Sequence, residues 1–153
     1  MTLLDANVGE EYIVKDIQTD DEELNAEGIG RIADINVGAD DFTIFSLADT
    51  HVKTAEHYSR FSGETMADLA STVNAGNYSS NSFAVILGDI MFDNYEQVEN
   101  VKASLVDSPV PVFPCFGNHD CSSSVGETEL DLISKYQQHF GPVDYSFNIG
   151  LCE

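Results

Sequence analysis

Three short clusters in the chain carry the residue types that bind divalent metals: Asp49-Thr50-His51, Gly88-Asp89 and Gly117-Asn118-His119-Asp120. Carboxylate oxygen, imidazole nitrogen and amide oxygen suit first-row divalent ions, and an Asp able to bridge two ions is what a two-metal hydrolytic centre requires. Each cluster alone has an ordinary explanation. An Asp-x-His or a Gly-Asp after an apolar run is common, and Gly-Asn-His-Asp can serve merely as a turn, because glycine and asparagine tolerate left-handed backbone. The combination is more informative. All three occur in order, each directly follows an apolar run, and helix-length segments separate them.

The elements that must position these clusters are legible from hydrophobic periodicity. Residues 42–48 form a β-rich apolar run that stops at Asp49, and residues 83–87 form a continuous apolar run, as a strand buried on both faces reads. Residues 110–116 read as a third strand, whose Pro111 and Pro114 point to an edge or irregular position because proline cannot donate to a ladder. Met66, Leu69, Ala70 and Val73 recur at i, i+3, i+4 and i+7 and predict a helix ended by Gly76. Val98, Val101 and Leu105 mark a second helix, started by Asn94 and stopped before Pro109. Leu132, Ile133, Tyr136 and Phe140 mark a third, after the Ser122-Ser123-Ser124 loop, and residues 145–149 read as a final strand. The β-α-β-α-β-α-β order predicts an α/β fold, a layered sandwich of helices on a mostly parallel sheet. In open α/β sheets the carboxyl ends of the strands form the ligand crevice, so the three clusters should converge there.

The chain has 153 residues with 27 Asp+Glu against 6 Lys+Arg, a formal net charge of −21, and 42% hydrophobic residues. That length argues for one domain with a real core. Six cations are too few to neutralise a phosphate backbone, which excludes nucleic acid bound through a basic surface. No apolar stretch has the length of a membrane span, and the opening residues carry acids rather than the basic start of a signal peptide, so no membrane partner and a cytoplasmic location are expected. Cys115, Cys121 and Cys152 lack a zinc-clip spacing and read as reduced thiols. Charge is densest in residues 1–41, an acidic N-terminal segment with no settled structural reading, in which residues 11–17 and 31–37 could be short strands.

From Phe42 onward, the three clusters in this order resemble the calcineurin-like metallophosphoesterase family, whose signature runs Asp-x-His, then Gly-Asp, then Gly-Asn-His followed by Asp or Glu. The resemblance extends from about residue 42 to residue 150 and includes the tail at 140–150. It implies metal-dependent hydrolysis of a phosphate monoester or diester with two divalent ions, manganese, iron or zinc. Carried over by motif position, Asp49 and His51 would ligate the first ion, Asp89 would bridge both, and Asn118 would ligate the second. His119 would sit beside the scissile phosphate as proton donor or as a cation stabilising developing charge. Asp120 would orient His119 through a carboxylate–imidazole hydrogen bond.

The departure from the family pattern is as informative as the match. The family supplies further ligands from a later lone histidine and a Gly-His-x-His block, whereas no histidine follows His139, which lies at the end of the third helix. The first ion would keep Asp49, His51 and Asp89, and the second only Asp89 and Asn118. Residues 42–153 are therefore expected to be the N-terminal half of an incomplete metallophosphoesterase fold, holding one ion weakly. A C-terminal half or self-association would have to complete it. The rival reading is a non-catalytic fragment that keeps part of a metal site and acts as a binding or interaction module. A phosphotransferase using Asp49 as nucleophile is disfavoured, because His51 stands where that chemistry wants a second Asp. Elsewhere, Asp93 and Asn94 could touch substrate but read rather as helix caps, His57 as a surface-loop histidine, Cys115 as a core thiol and Cys121 as a minor candidate for a soft metal contact. Tyr95 and Tyr145 read as packing residues.

Overall fold

The computed structural model describes residues 41–76, 78, 82–122 and 126–145. The segment 1–40, with its two expected strands, and residues 146–149 of the expected final strand lie outside the described residues. The β-branched and aromatic residues of Thr43–Leu47 form strand β1, those of Ser82–Ile86 form β2, and Val112–Pro114 form the short β3. The three strands pair in parallel in the order β1-β2-β3, with Thr43 opposite Ser82 and Ala84 opposite Val112. The mixed α/β class with a parallel sheet is thus present as expected. The ladder to β3 runs through the Pro111 carbonyl, 2.8 Å from the Ala84 amide, and the Cys115 amide, 2.8 Å from the Ile86 carbonyl. The nitrogen of Pro114 has the opposite parity and faces away from β2, where its missing proton costs no ladder bond.

The first crossover is longer than its periodicity suggests. Helix α1, Ala55–Arg60, runs through a π-helical segment, Phe61–Met66, directly into α2, Ala67–Ala75. Thr54 caps α1 by accepting a hydrogen bond from the His57 amide at 3.3 Å, so His57 belongs to a helix rather than a surface loop. Phe61 and Met66 are five residues apart, which on an α-helix would put them about 140° apart. The wider π turn lets both face the core. Helix α3, Val98–Val106, begins after Gln97 rather than at Asn94. The Asn94 side chain instead accepts from the Glu96 amide at 3.1 Å, a local turn that competes with helix initiation. Helix α4, Glu129–Phe140, opens on a capping box in which Thr128 and Asp131 satisfy each other's amides.

Both crossovers advance the sheet in the same direction, and right-handed connections then put their helices on one face. That face is the core. Ala84, Ile86 and Val112 of the sheet meet Phe61, Met66 and Leu69, the α3 residues Val98, Val101 and Leu105, and Tyr136 and Phe140 of α4. On the other face Phe83 packs against Phe42 and Phe113, while Ile44 and Leu87 are half exposed. No helix among the described residues is long and apolar enough to cross a membrane.

Candidate functional site

Past the ends of β1 and β2 the two chains continue side by side. The Leu87 amide donates to the Leu47 carbonyl at 2.8 Å, His51 to Asp89 at 3.0 Å, Val52 to Ile90 at 2.8 Å and Phe92 to Val52 at 3.0 Å. Val52, Ile90 and Met91 are fully buried beneath this extension, so the polar residues between them are held on an apolar floor. Asp49, His51, Asp89 and Asp93 all have left-handed backbone, with φ of 50°, 51°, 52° and 59°. They are the only non-glycine residues of that kind among the described residues. Each such residue costs about 1–3 kcal/mol, and strain of this sort persists where the surrounding structure over-determines it, commonly at functional sites.

The third loop docks against the second by a close approach. Gly117 lies so near Asp89 that a Cβ there would collide with the Asp89 amide and carboxylate. The His119 amide then donates to Asp89 Oδ1 at 2.9 Å, and Asp89 Oδ2 lies 3.5 Å from His51 Nε2. Ligand atoms of His51, Asp89 and His119 come within 4.8 Å of one another. Asp49 sits at the rim, its carboxylate 3.8 Å from His51 Nε2 and 64% exposed. Asn118 is exposed on the same turn as His119, and its carbonyl accepts from Ser122 Oγ at 3.0 Å and from Cys121 Sγ at 3.2 Å. Burial, with the Glu129 charge behind it, holds the Cys121 thiol above its ordinary pKa. Its Sγ is turned to the Asn118 carbonyl and is not one of the grouped ligand atoms of His51, Asp89 and His119. His139 lies away from this cluster on α4, paired with Glu99 at 3.2 Å.

The orienting carboxylate differs from the expected one. His119 Nδ1 is 2.8 Å from Asp93 Oδ1, and the Asp93 amide donates to the His119 carbonyl at 3.3 Å. Asp93 is therefore not a helix cap; its left-handed backbone turns it towards the third loop. Asp120, expected in the orienting role, is fully buried and points the other way. Its Oδ1 accepts from the Met91 amide at 2.8 Å, and its Oδ2 reaches back to the Gly117 amide at 2.9 Å, closing its own turn. Desolvation pushes the Asp120 carboxyl up to about 6, against the lowering effect of those backbone bonds. The hydrogen bond to Asp93 raises the His119 pKa, helped by the charges of Asp93, Asp89 and Asp120 and opposed by desolvation. Tyr95, whose hydroxyl donates to the Asp120 carbonyl at 2.8 Å, and Tyr145, whose hydroxyl donates to the Pro114 carbonyl at 2.9 Å, act as packing struts.

Two further residues complete the wall. Phe92 stacks on His119 with centroids 4.4 Å apart and tilts against His51 at 4.9 Å, and the Lys53 ammonium lies 5.1 Å from the Phe92 ring centre. Phe92 and Lys53 carry no sequence signal beyond their proximity to the clusters, and Asp93 is legible in the sequence only as a helix cap or substrate contact. The donor set fits a divalent first-row ion: two imidazoles and a carboxylate of limited exposure. His51 Nε2 and Asp89 Oδ2 already have the spacing of adjacent ligands around such an ion. No family model matches the chain, and neither a curated protein nor a solved structure is similar to it.

Proposed function

We propose that this chain is a metal-dependent phosphoesterase domain of the calcineurin-like class, acting on a phosphate monoester or diester. The observation that carries the reading is the convergence of three strand-end loops, which gathers His51, Asp89 and His119 within 4.8 Å. A divalent ion bound there supplies Lewis-acid polarisation of a phosphate oxygen and activation of water. His51 and Asp89 would hold the ion with Asp49 at the rim. His119 can ligate or donate a proton, not both at once, and its bond to Asp93 favours the donor role. With Nδ1 engaged by Asp93, Nε2 is left to protonate the leaving oxygen. Asp93 fixes the ring, and Phe92 restricts its rotation.

Asp89 and Asn118 alone would hold a second ion poorly, so the site would take one ion of manganese, iron or zinc, and weakly. This short ligand set also favours a second reading, a metal-binding module without turnover. Calorimetric titration with manganese and hydrolysis of p-nitrophenyl phosphate separate the two. Hydrolysis is expected to be slow, manganese-dependent and lost in His119→Ala. Binding without any turnover leaves the module. Manganese binding unchanged in both Asp49→Ala and Asp89→Asn would sink the metal centre itself.

A further inference from the structure

Of the four lysines and arginines among the described residues, Arg60, Lys102 and Lys135 lie on helices, and Lys53 alone lies on a loop of the site. Its backbone follows Val52, which is fully buried and bridged to Met91, so the root of the side chain is fixed. The ammonium rests 5.1 Å from the centre of the Phe92 ring and 4.0 Å from Asp93 Oδ2. The other oxygen of the same carboxylate holds His119 Nδ1 at 2.8 Å. Lys53 and His119 are thus gathered by one aromatic ring and one carboxylate. The 4.0 Å separation is the outer limit of an ion pair, and the Lys53 side chain is 31% exposed, so the ammonium can exchange Asp93 for an incoming oxygen without losing a short hydrogen bond.

Charge makes such a group necessary. Asp49, Asp89 and Asp93 surround His51 and His119, and the whole chain carries −21. An anion entering there meets repulsion that an ion held by His51 and Asp89 offsets only in part. A phosphate monoester brings two negative charges and three peripheral oxygens, a diester one charge and two such oxygens. Lysine is a compact point charge with three donors, suited to that extra charge and oxygen. We infer that Lys53 binds a peripheral phosphate oxygen of the substrate and makes the site selective for phosphate monoester dianions over diesters. This rests on the phosphoesterase reading and narrows it.

The test uses the full chain loaded with manganese, with inorganic phosphate and dimethyl phosphate as probes, both followed by calorimetry. Lys53→Met is expected to bind manganese as the wild type does, to keep its melting temperature, and to lose about tenfold in phosphate affinity, the scale of one charge-assisted hydrogen bond. Lys53→Arg is expected to recover most of that loss. Dimethyl phosphate is expected to bind more weakly to the wild type and to change little in either variant. Equal phosphate affinity in wild type and Lys53→Met overturns the assignment while leaving the metal centre intact. A loss as large for dimethyl phosphate overturns the monoester preference. Absence of manganese binding in the wild type removes the phosphoesterase reading, and this inference with it.

Discussion

At the scale of single residues, the two neighbours of His119 that carry carboxylates do different work. Asp93 holds the ring from the side, and its removal is expected to show in the titration of that ring. In Asp93→Asn the His119 pKa should fall towards its ordinary value, read by proton NMR of the metal-free chain, because the hydrogen bond to Asp93 loses its charge assistance and the Asp93 charge is removed. An unchanged pKa would place the stabilising charge elsewhere. A histidine raised in the folded state contributes stability that is complete below its unfolded pKa and disappears as pH rises through the folded value. Asp120 acts instead as a strut between the second and third loops. Asp120→Asn retains one acceptor where two amides need one each, and should cost about 1–3 kcal/mol in denaturant unfolding. Its pH signature has the opposite sense from a salt-bridged acid. Its folded pKa of about 6 lies above the unfolded 3.8, so the folded state binds the proton more tightly and this group's contribution grows as pH falls through that window. The wild-type advantage over Asp120→Asn is therefore expected to widen between about pH 7 and about pH 5. A gap that narrows would mean that the carboxylate is favoured ionised.

At the scale of elements, what could be read from sequence and what could not divides along backbone geometry. Residues 42–48 and 83–87 announced strands because their apolar runs stop abruptly at Asp49 and Gly88, and the same stops located the loops that meet at the site. The start of α1 was not legible. Thr54 is followed by a weak N-terminal signature, and the π segment breaks the 3.6-residue spacing between Phe61 and Met66 that would have extended the helix backwards. The exchange of roles between Asp93 and Asp120 was hidden for a related reason. Which way a carboxylate points from a loop depends on left-handed backbone at Asp89 and Asp93, and acidic residues adopt that conformation without advertising it. Gly117 was visible only as a turn residue, although its function is to admit Asp89. Gly117→Ala is expected to push the Asp89 carboxylate out of line and remove manganese binding, while Gly63→Ala, where an added Cβ meets nothing within 4 Å, leaves binding intact. Manganese binding that survives Gly117→Ala would show that the third loop is not needed to shape the centre.

At the scale of the whole molecule, the excess of acids sets the response to the medium. A chain of net charge −21 repels itself in the compact state, and sodium chloride screens that repulsion over about 10 Å at 0.1 M. The melting temperature of the metal-free chain should therefore rise between low and moderate salt. A fall would mean that attractive pairs, such as Lys135 with Glu127 or His139 with Glu99, outweigh the net repulsion.

The close seat of Gly117 against Asp89 also sets an order of events in time. The Asp89 segment reaches the His51 segment once β1 and β2 have paired, so two of the three groups at the centre are assembled by the first crossover alone. The third arrives only after α3 has closed the second crossover and β3 has joined the edge, and parallel pairing of this kind is slow because loop closure precedes any reward. The His119 imidazole is thus missing from the cluster until the last strand of the described sheet is in place, and during synthesis the chain passes residue 117 before the three groups can meet. The proton donor of the proposed reaction is therefore the last of the three groups to arrive, so an immature chain pairs His51 with Asp89 but lacks the His119 imidazole.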